Sequence, residues 1–202
     1  MKNTLFIFLL AIFAISCGGP SATDMLNNLN DQMQSELNNT EAADDSTSPK
    51  VFNSAVRYND FIINNQVNVY NKIVKLVNCL ETCDDIELKK TYDEMGDEAK
   101  KSLREVKRLS DYNGNTEFRD RAIDLFEFYV EIYENSYKEL IDMIIKGNIT
   151  PKEEARVNKI VEEVSAKETK LDDAFQKAQQ KFADENGMQI VPNEIQQEID
   201  NM

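Results

Sequence analysis

From Phe52 onward, apolar residues recur at alternating three- and four-residue steps through four long stretches, and short polar breaks separate them. That period places one face of a helix against a core, and no alternating strand pattern competes with it. In the first stretch Phe52, Ala55, Val56, Ile62, Ile63, Val69, Tyr70, Ile73, Val77 and Leu80 follow "SPK". Ser48 as cap and Pro49 at the first helical position predict a helix over 49–80. Asp84 with Glu87 three residues later has the form of a capping box. It opens a second helix with the stripe Leu88, Tyr92, Met95, Ala99, Leu103, Val106 and Leu109.

"DYNGN" at 111–115 reads as a turn. The third helix, over 116–146, carries Phe118, Ala122, Leu125, Tyr129, Ile132, Leu140 and Met143 on one face. A neighbouring face has Phe126, Val130, Tyr133, Tyr137, Ile141 and Ile144, and Gly147 stops the helix. Thr150, Pro151 and Glu153 start a fourth, which runs through Val157, Ile160, Val161, Val164, Leu171, Phe175, Ala178 and Phe182 to Gly187. Connections this short force neighbouring helices to fold back on each other. The expected fold is all-α, an antiparallel up-down-up-down four-helix bundle over 49–187 with a tail at 188–202.

Ahead of the bundle lies "MKNTLFIFLLAIFAISCGGPS". The apolar run Leu5 to Ile15, eleven residues, would span about 16 Å as a helix. A bilayer core is about 30 Å thick, so the run suits a signal-peptide core rather than a membrane span. Ala14, Ile15, Ser16 and Cys17 resemble the lipobox of bacterial lipoproteins, although Ala14 stands where leucine is usual. The resemblance implies a signal peptide over 1–16 and a diacylglyceryl group on the Cys17 thiol. It also implies that the membrane is a partner through this covalent lipid. Gly18, by similarity to lipoproteins sorted in double-membrane bacteria, favours delivery to the outer membrane or the cell surface.

Residues 17–48 then form a lipidated N-terminus and a flexible tether rich in Asn, Ser, Thr and Asp. Within it Met25, Leu26, Leu29, Met33 and Leu37 have the spacing of a short amphipathic helix over 24–37. Together with "NSAVRYNDFIINNQVNVYNKIVKL" at 53–76, the lipobox resembles uncharacterised helical surface lipoproteins of spirochaetes and Bacteroidetes. That resemblance covers the signal and the first helix, and it carries no catalytic residues.

Composition narrows the chemistry. The 202 residues include 37 Asp and Glu against 23 Lys and Arg, a net charge of -14. Such a surface repels nucleic-acid backbones, so no nucleic acid is expected as partner. With no histidine, histidine-based triads, histidine di-iron sites and histidine-ligated haem are excluded. No catalytic residues, metal or cofactor are assigned. The expected activity is interaction with an envelope or extracellular protein rather than catalysis.

Three candidate sites remain. With Cys17 taken by lipid, Cys79 and Cys83 are an even remainder that suggests a disulfide in an oxidising envelope, with two free thiols as the alternative. Asn59 and Gln66 interrupt the apolar seam of the first helix seven residues apart, and Ser136 and Glu168 fall at comparable positions on helices three and four. Such a layer can bind a small polar ligand, or its groups can bond to one another and fix helix register. Phe126, Phe128, Tyr129, Tyr133 and Tyr137 are either an interface or the deepest wall of the core. The acidic runs "DDIE" and "DEMGDE" lack calcium-loop spacing and read as solvated charge.

Overall fold

The computed structural model describes residues 48–190. They form a four-helix bundle: α1 (Ala55–Thr82), α2 (Asp85–Lys107), α3 (Glu117–Ile132), α4 (Lys138–Lys146) and α5 (Pro151–Glu185). A π-helical turn, Tyr133–Tyr137, joins α3 to α4, so these two make one rod. The described residues contain no strand and no helix long and apolar enough to cross a membrane. Cys17, the signal segment 1–16, the tether with its 24–37 stretch and most of the tail lie outside the described residues.

Each rod buries one stripe. Tyr58, Ile62, Val69, Ile73 and Leu76 face inward from α1, and Leu88, Met95, Ala99 and Val106 from α2. Phe118, Ala122, Leu125, Tyr129 and Ile132 face inward from α3, and Val157, Ile160, Val164, Phe175, Ala178 and Phe182 from α5. Contacts between neighbours pair rising with falling residue numbers. Lys72 meets Glu94 while Ser102 meets the Asn65 carbonyl across α1 and α2. Glu117 meets Lys181 while Glu131 meets Lys167 across α3 and α5. These neighbours therefore run antiparallel. At one end Tyr58, Phe118, Phe175 and Phe182 form an aromatic cluster, with Tyr58 and Phe182 stacked at 5.4 Å and Phe118 tilted against Phe182 at 5.3 Å.

The start of α1 differs from the expectation. Its cap is Ser54, whose hydroxyl accepts from Arg57 N at 3.5 Å, not Ser48. Residues 48–54 are held out of the helix because Lys50 pairs with the end of α2 instead. Lys50 N donates to Arg108 O at 2.8 Å, and Ser110 N donates to Lys50 O at 3.0 Å. Two long-range backbone bonds here displace the single local cap that "SPK" promised. The other caps follow the sequence: Asp84 accepts from Ile86 N and Glu87 N, and Thr150 with Glu153 completes a capping box before Pro151. In the 111–115 turn, Asn113 at φ 53° and Gly114 at φ 81° carry the left-handed backbone that closes Tyr112 onto Asn115.

The third helix is not continuous either. An uninterrupted α-helix would carry the inward positions from Ile132 to Ser136. The π turn adds a residue, so the next inward side chain is Tyr137, followed by Leu140 and Ile141. The turn matches a notch opposite. A Cβ on Gly96 of α2 would overlap the Tyr133 ring, so only glycine lets that ring approach. Wide turns disturb the four-residue hydrogen-bond ladder, and two side chains supply donors around this one. Tyr92 donates its hydroxyl to Tyr133 O at 2.5 Å, and Asn135 Nδ2 donates to Glu131 O at 3.0 Å.

Candidate functional site

Between Val164 and Phe175 the apolar stripe of α5 keeps only Leu171, and Glu168 and Asp172 stand beside it one turn apart. The facing stretch of α1 carries Gln66 and Tyr70, also one turn apart. Long polar side chains link the two helices. Gln66 Nε2 donates to Asp172 Oδ1 at 3.4 Å, Gln176 Nε2 donates to Asp172 Oδ2 at 2.6 Å, and Gln179 Nε2 donates to Asn59 Oδ1 at 2.8 Å. Tyr129 and Tyr137, almost wholly buried, close the inner side of this seam.

Electrostatics single out Glu168. Burial pushes its carboxyl up to about 7, and the neighbouring Asp172 carboxylate adds to the effect. Burial also raises Asp172, against the hydrogen bonds from Gln176 and Gln66. Tyr70, Tyr129 and Tyr137 are all raised, first by burial and then by the field of Glu168, so their hydroxyls lie within electrostatic reach of that carboxyl. No lysine or arginine among the described residues offsets either carboxyl. Desolvation disfavours the charged form of an acid, which is why the Glu168 carboxyl holds its proton to higher pH than a solvated glutamate.

The expected polar layer is thus redistributed. Gln66 and Glu168 share the seam, while Asn59 lies nearer its aromatic end and bonds Gln179. Ser136 is excluded. The extra residue of the π turn rotates it outward, where it lines an open hollow of about 390 Å³ with Arg156 and Glu139. A broader groove of about 1080 Å³ runs between α2 and α4, floored by Tyr92, Tyr133, Ile141 and Ile145. Neither hollow is lined by Asn59 or Gln66. Tyr70, Tyr129 and Tyr137 were read from the sequence as apolar-stripe positions, and Asp172 was not singled out. The stripe Glu168, Asp172, Gln176 at four-residue spacing was the available signal.

Cys79 and Cys83 are joined, with Sγ atoms 2.02 Å and Cα atoms 4.9 Å apart, across the last turn of α1. Thr91 Oγ1 of α2 lies 3.6 Å from Cys79 Sγ. The aromatic residues of the third rod are core: Phe126, Phe128, Tyr129 and Tyr137 are buried and Tyr133 is half-buried against Gly96. The acidic run around α2 is paired rather than metal-binding, with Glu94 held to about 2 chiefly by hydrogen bonds from Lys75 and Lys72. No group of three metal-ligating side chains occurs among the described residues. No family model, curated protein or solved structure matches the chain.

Proposed function

We propose that the chain is a lipid-anchored protein of the bacterial envelope, acting by binding rather than catalysis. Cys17 carries the lipid, residues 18–48 are the spacer, and the bundle is the displayed module. The observation that carries this reading is the Cys79–Cys83 bond. Disulfides persist in oxidising compartments, and a lipobox cysteine directs a chain to such a compartment, so two independent cysteine features agree. The groove floored by Tyr92, Tyr133, Ile141 and Ile145 offers a partner an apolar surface rimmed by charge.

Intact-mass analysis of the membrane fraction tests the anchor, beside a Cys17→Ala variant and protease shaving of whole cells. A mass bearing acyl chains on a chain that starts at Cys17, absent from the variant, supports the reading. An unlipidated product that leaves the membrane fraction overturns it. Shaving then separates a surface-displayed bundle from one facing the periplasm.

A further inference from the structure

We infer that residues 24–37 dock antiparallel on the outward face of α1, along Ile63, Val67, Asn71 and Val74. A bundle helix normally turns one face to water, and α2 and α5 do so at Asp93, Asp97, Glu162 and Asp173. The middle of α1 does not: from Phe61 to Val74 no residue is exposed on any side. Its inward stripe of Ile62, Val69 and Ile73 meets the rest of the core. On its flanks Asn59 and Gln66 reach α5, and Lys72 and Lys75 reach Glu94 of α2. At about 100° per residue, Ile63, Val67, Asn71 and Val74 lie about 100–180° round the helix from Ile62. They are half-buried on the side that the bundle leaves open, so their cover lies outside residues 48–190.

Asn71 adds an independent sign. Its Oδ1 is buried and accepts no hydrogen bond. A buried acceptor without a donor is costly, and this one stands on the outward face, away from the core.

Spacing and length identify the occupant. Leu37, Met33, Leu29 and Leu26 step down the sequence by four, four and three residues. Ile63, Val67, Asn71 and Val74 step up it by four, four and three. The two stripes fall into register when the helices run antiparallel, with Leu37 beside Ile63 and Leu26 beside Val74. Residues 24–37 as a helix are about 21 Å long, the same as 61–74. The chain enters the bundle at Ser48, ahead of α1, and the ten residues 38–47 reach up to about 33 Å, enough to turn back. Asn27, Asn28 and Asn30 flank Leu29 and bring amide donors to the level of Asn71. The tail at 188–202 fits this face less well. Beyond Pro192 its repeat of Ile195, Ile199 and Met202 spans about two turns, half the covered length.

This goes beyond the anchored-module reading, and the docking does not depend on the lipid. Where Cys17 is lipidated as proposed above, docking leaves residues 18–23 as the free spacer and keeps the bundle within about 20 Å of the membrane.

Hydrogen exchange on the full chain in nonionic detergent tests the inference. Amides of 25–37 are expected to exchange at least about tenfold more slowly than those of 38–47. Met33→Asp, which alters no residue of the bundle, should abolish that protection and leave α2 and α5 unchanged. Val67→Asp should release 25–37 in the same way from the other side of the contact. Ser35→Asp adds the same charge to the far face of the segment and should change neither. Uniformly fast exchange across 25–47 overturns the inference, as does protection that survives both Met33→Asp and Val67→Asp. Protection that Val67→Asp removes from 193–202 instead makes the tail the occupant. Protection lost on about tenfold dilution makes the occupant a second copy, and either result overturns the inference. The Cys17→Ala chain should show the same protection, so failure of the anchor and failure of the docking are read separately.

Discussion

The Tyr133 ring occupies the space that a Cβ on Gly96 would need, so α2 forgoes a side chain where the third rod widens into its π turn. Glycine inside a helix costs about 1 kcal/mol relative to alanine, and here the cost admits a ring. Gly96→Ala should therefore destabilise the bundle despite its better helix propensity. The overpacking penalty of about 1–3 kcal/mol, less the propensity gain of about 1 kcal/mol, leaves a net loss of up to about 2 kcal/mol in urea unfolding. In a Tyr133→Ala background the same substitution should be neutral or stabilising. A loss of equal size in both backgrounds would show that the notch and the ring are unrelated.

Tyr92 supplies the donor for the Tyr133 carbonyl and also stands 4.7 Å from the Tyr133 ring, centroid to centroid. Tyr92→Phe keeps the ring pair and removes only the hydroxyl. Leaving a part-buried carbonyl unserved should cost about 1–2 kcal/mol. Hydrogen exchange should quicken at residues 133–138 more than elsewhere. A uniform change along the chain would argue that the hydroxyl does not serve the turn.

Glu168 gives stability a measurable pH signature. Its folded value of about 7 lies above the usual 4.5 of glutamate, so the folded state binds the proton more tightly than the unfolded state. The contribution is complete below about pH 4.5 and is lost as pH rises through 7, an effect of about 2–3 kcal/mol at most. Wild type should thus lose more stability than Glu168→Gln between pH 5 and pH 8. The comparison removes the background of other carboxylates common to both proteins. Parallel curves would mean that Glu168 is solvated like a surface acid.

The Cys79–Cys83 bond closes a loop with a sequence separation of 4. Loop-closure entropy for so small a ring is worth about 2 kcal/mol, and helix hydrogen bonds already order most of it. Reduction should leave the bundle folded, lower its melting temperature by a few degrees, and loosen the last turn of α1 beside Thr91. Global unfolding on reduction would show that the link holds α1 against α2.

Four helical stretches and the caps at Asp84 and Thr150 were legible because local periodicity and local hydrogen bonds agree there. The beginning of α1 was not, because a bridge between Lys50 and Leu109, far apart in sequence, overrode the nearer "SP" signal. The π turn was hidden for a similar reason. Its cause is split between "YENSY" on one rod and Gly96 on another, and periodicity reads one rod at a time. Ser136, expected in the polar seam, turned outward on that account. Glu168 was legible as a polar break in an apolar stripe, but its company of phenols required the fold.

The bridge at Lys50 also sets where mechanical load enters the molecule. The chain reaching the bundle from its N-terminal side meets the two Lys50 backbone bonds to Arg108 and Ser110 before it meets α1. Arg108 grips the Ser48 carbonyl with its guanidinium at 3.2–3.3 Å, which adds a third fastening at the same place. A tug along that strand is therefore borne by the end of α2 and the turn after it, and the first turn of α1 is shielded. Residues 48–50 are thus fastened to the middle connection of the bundle rather than to its first helix.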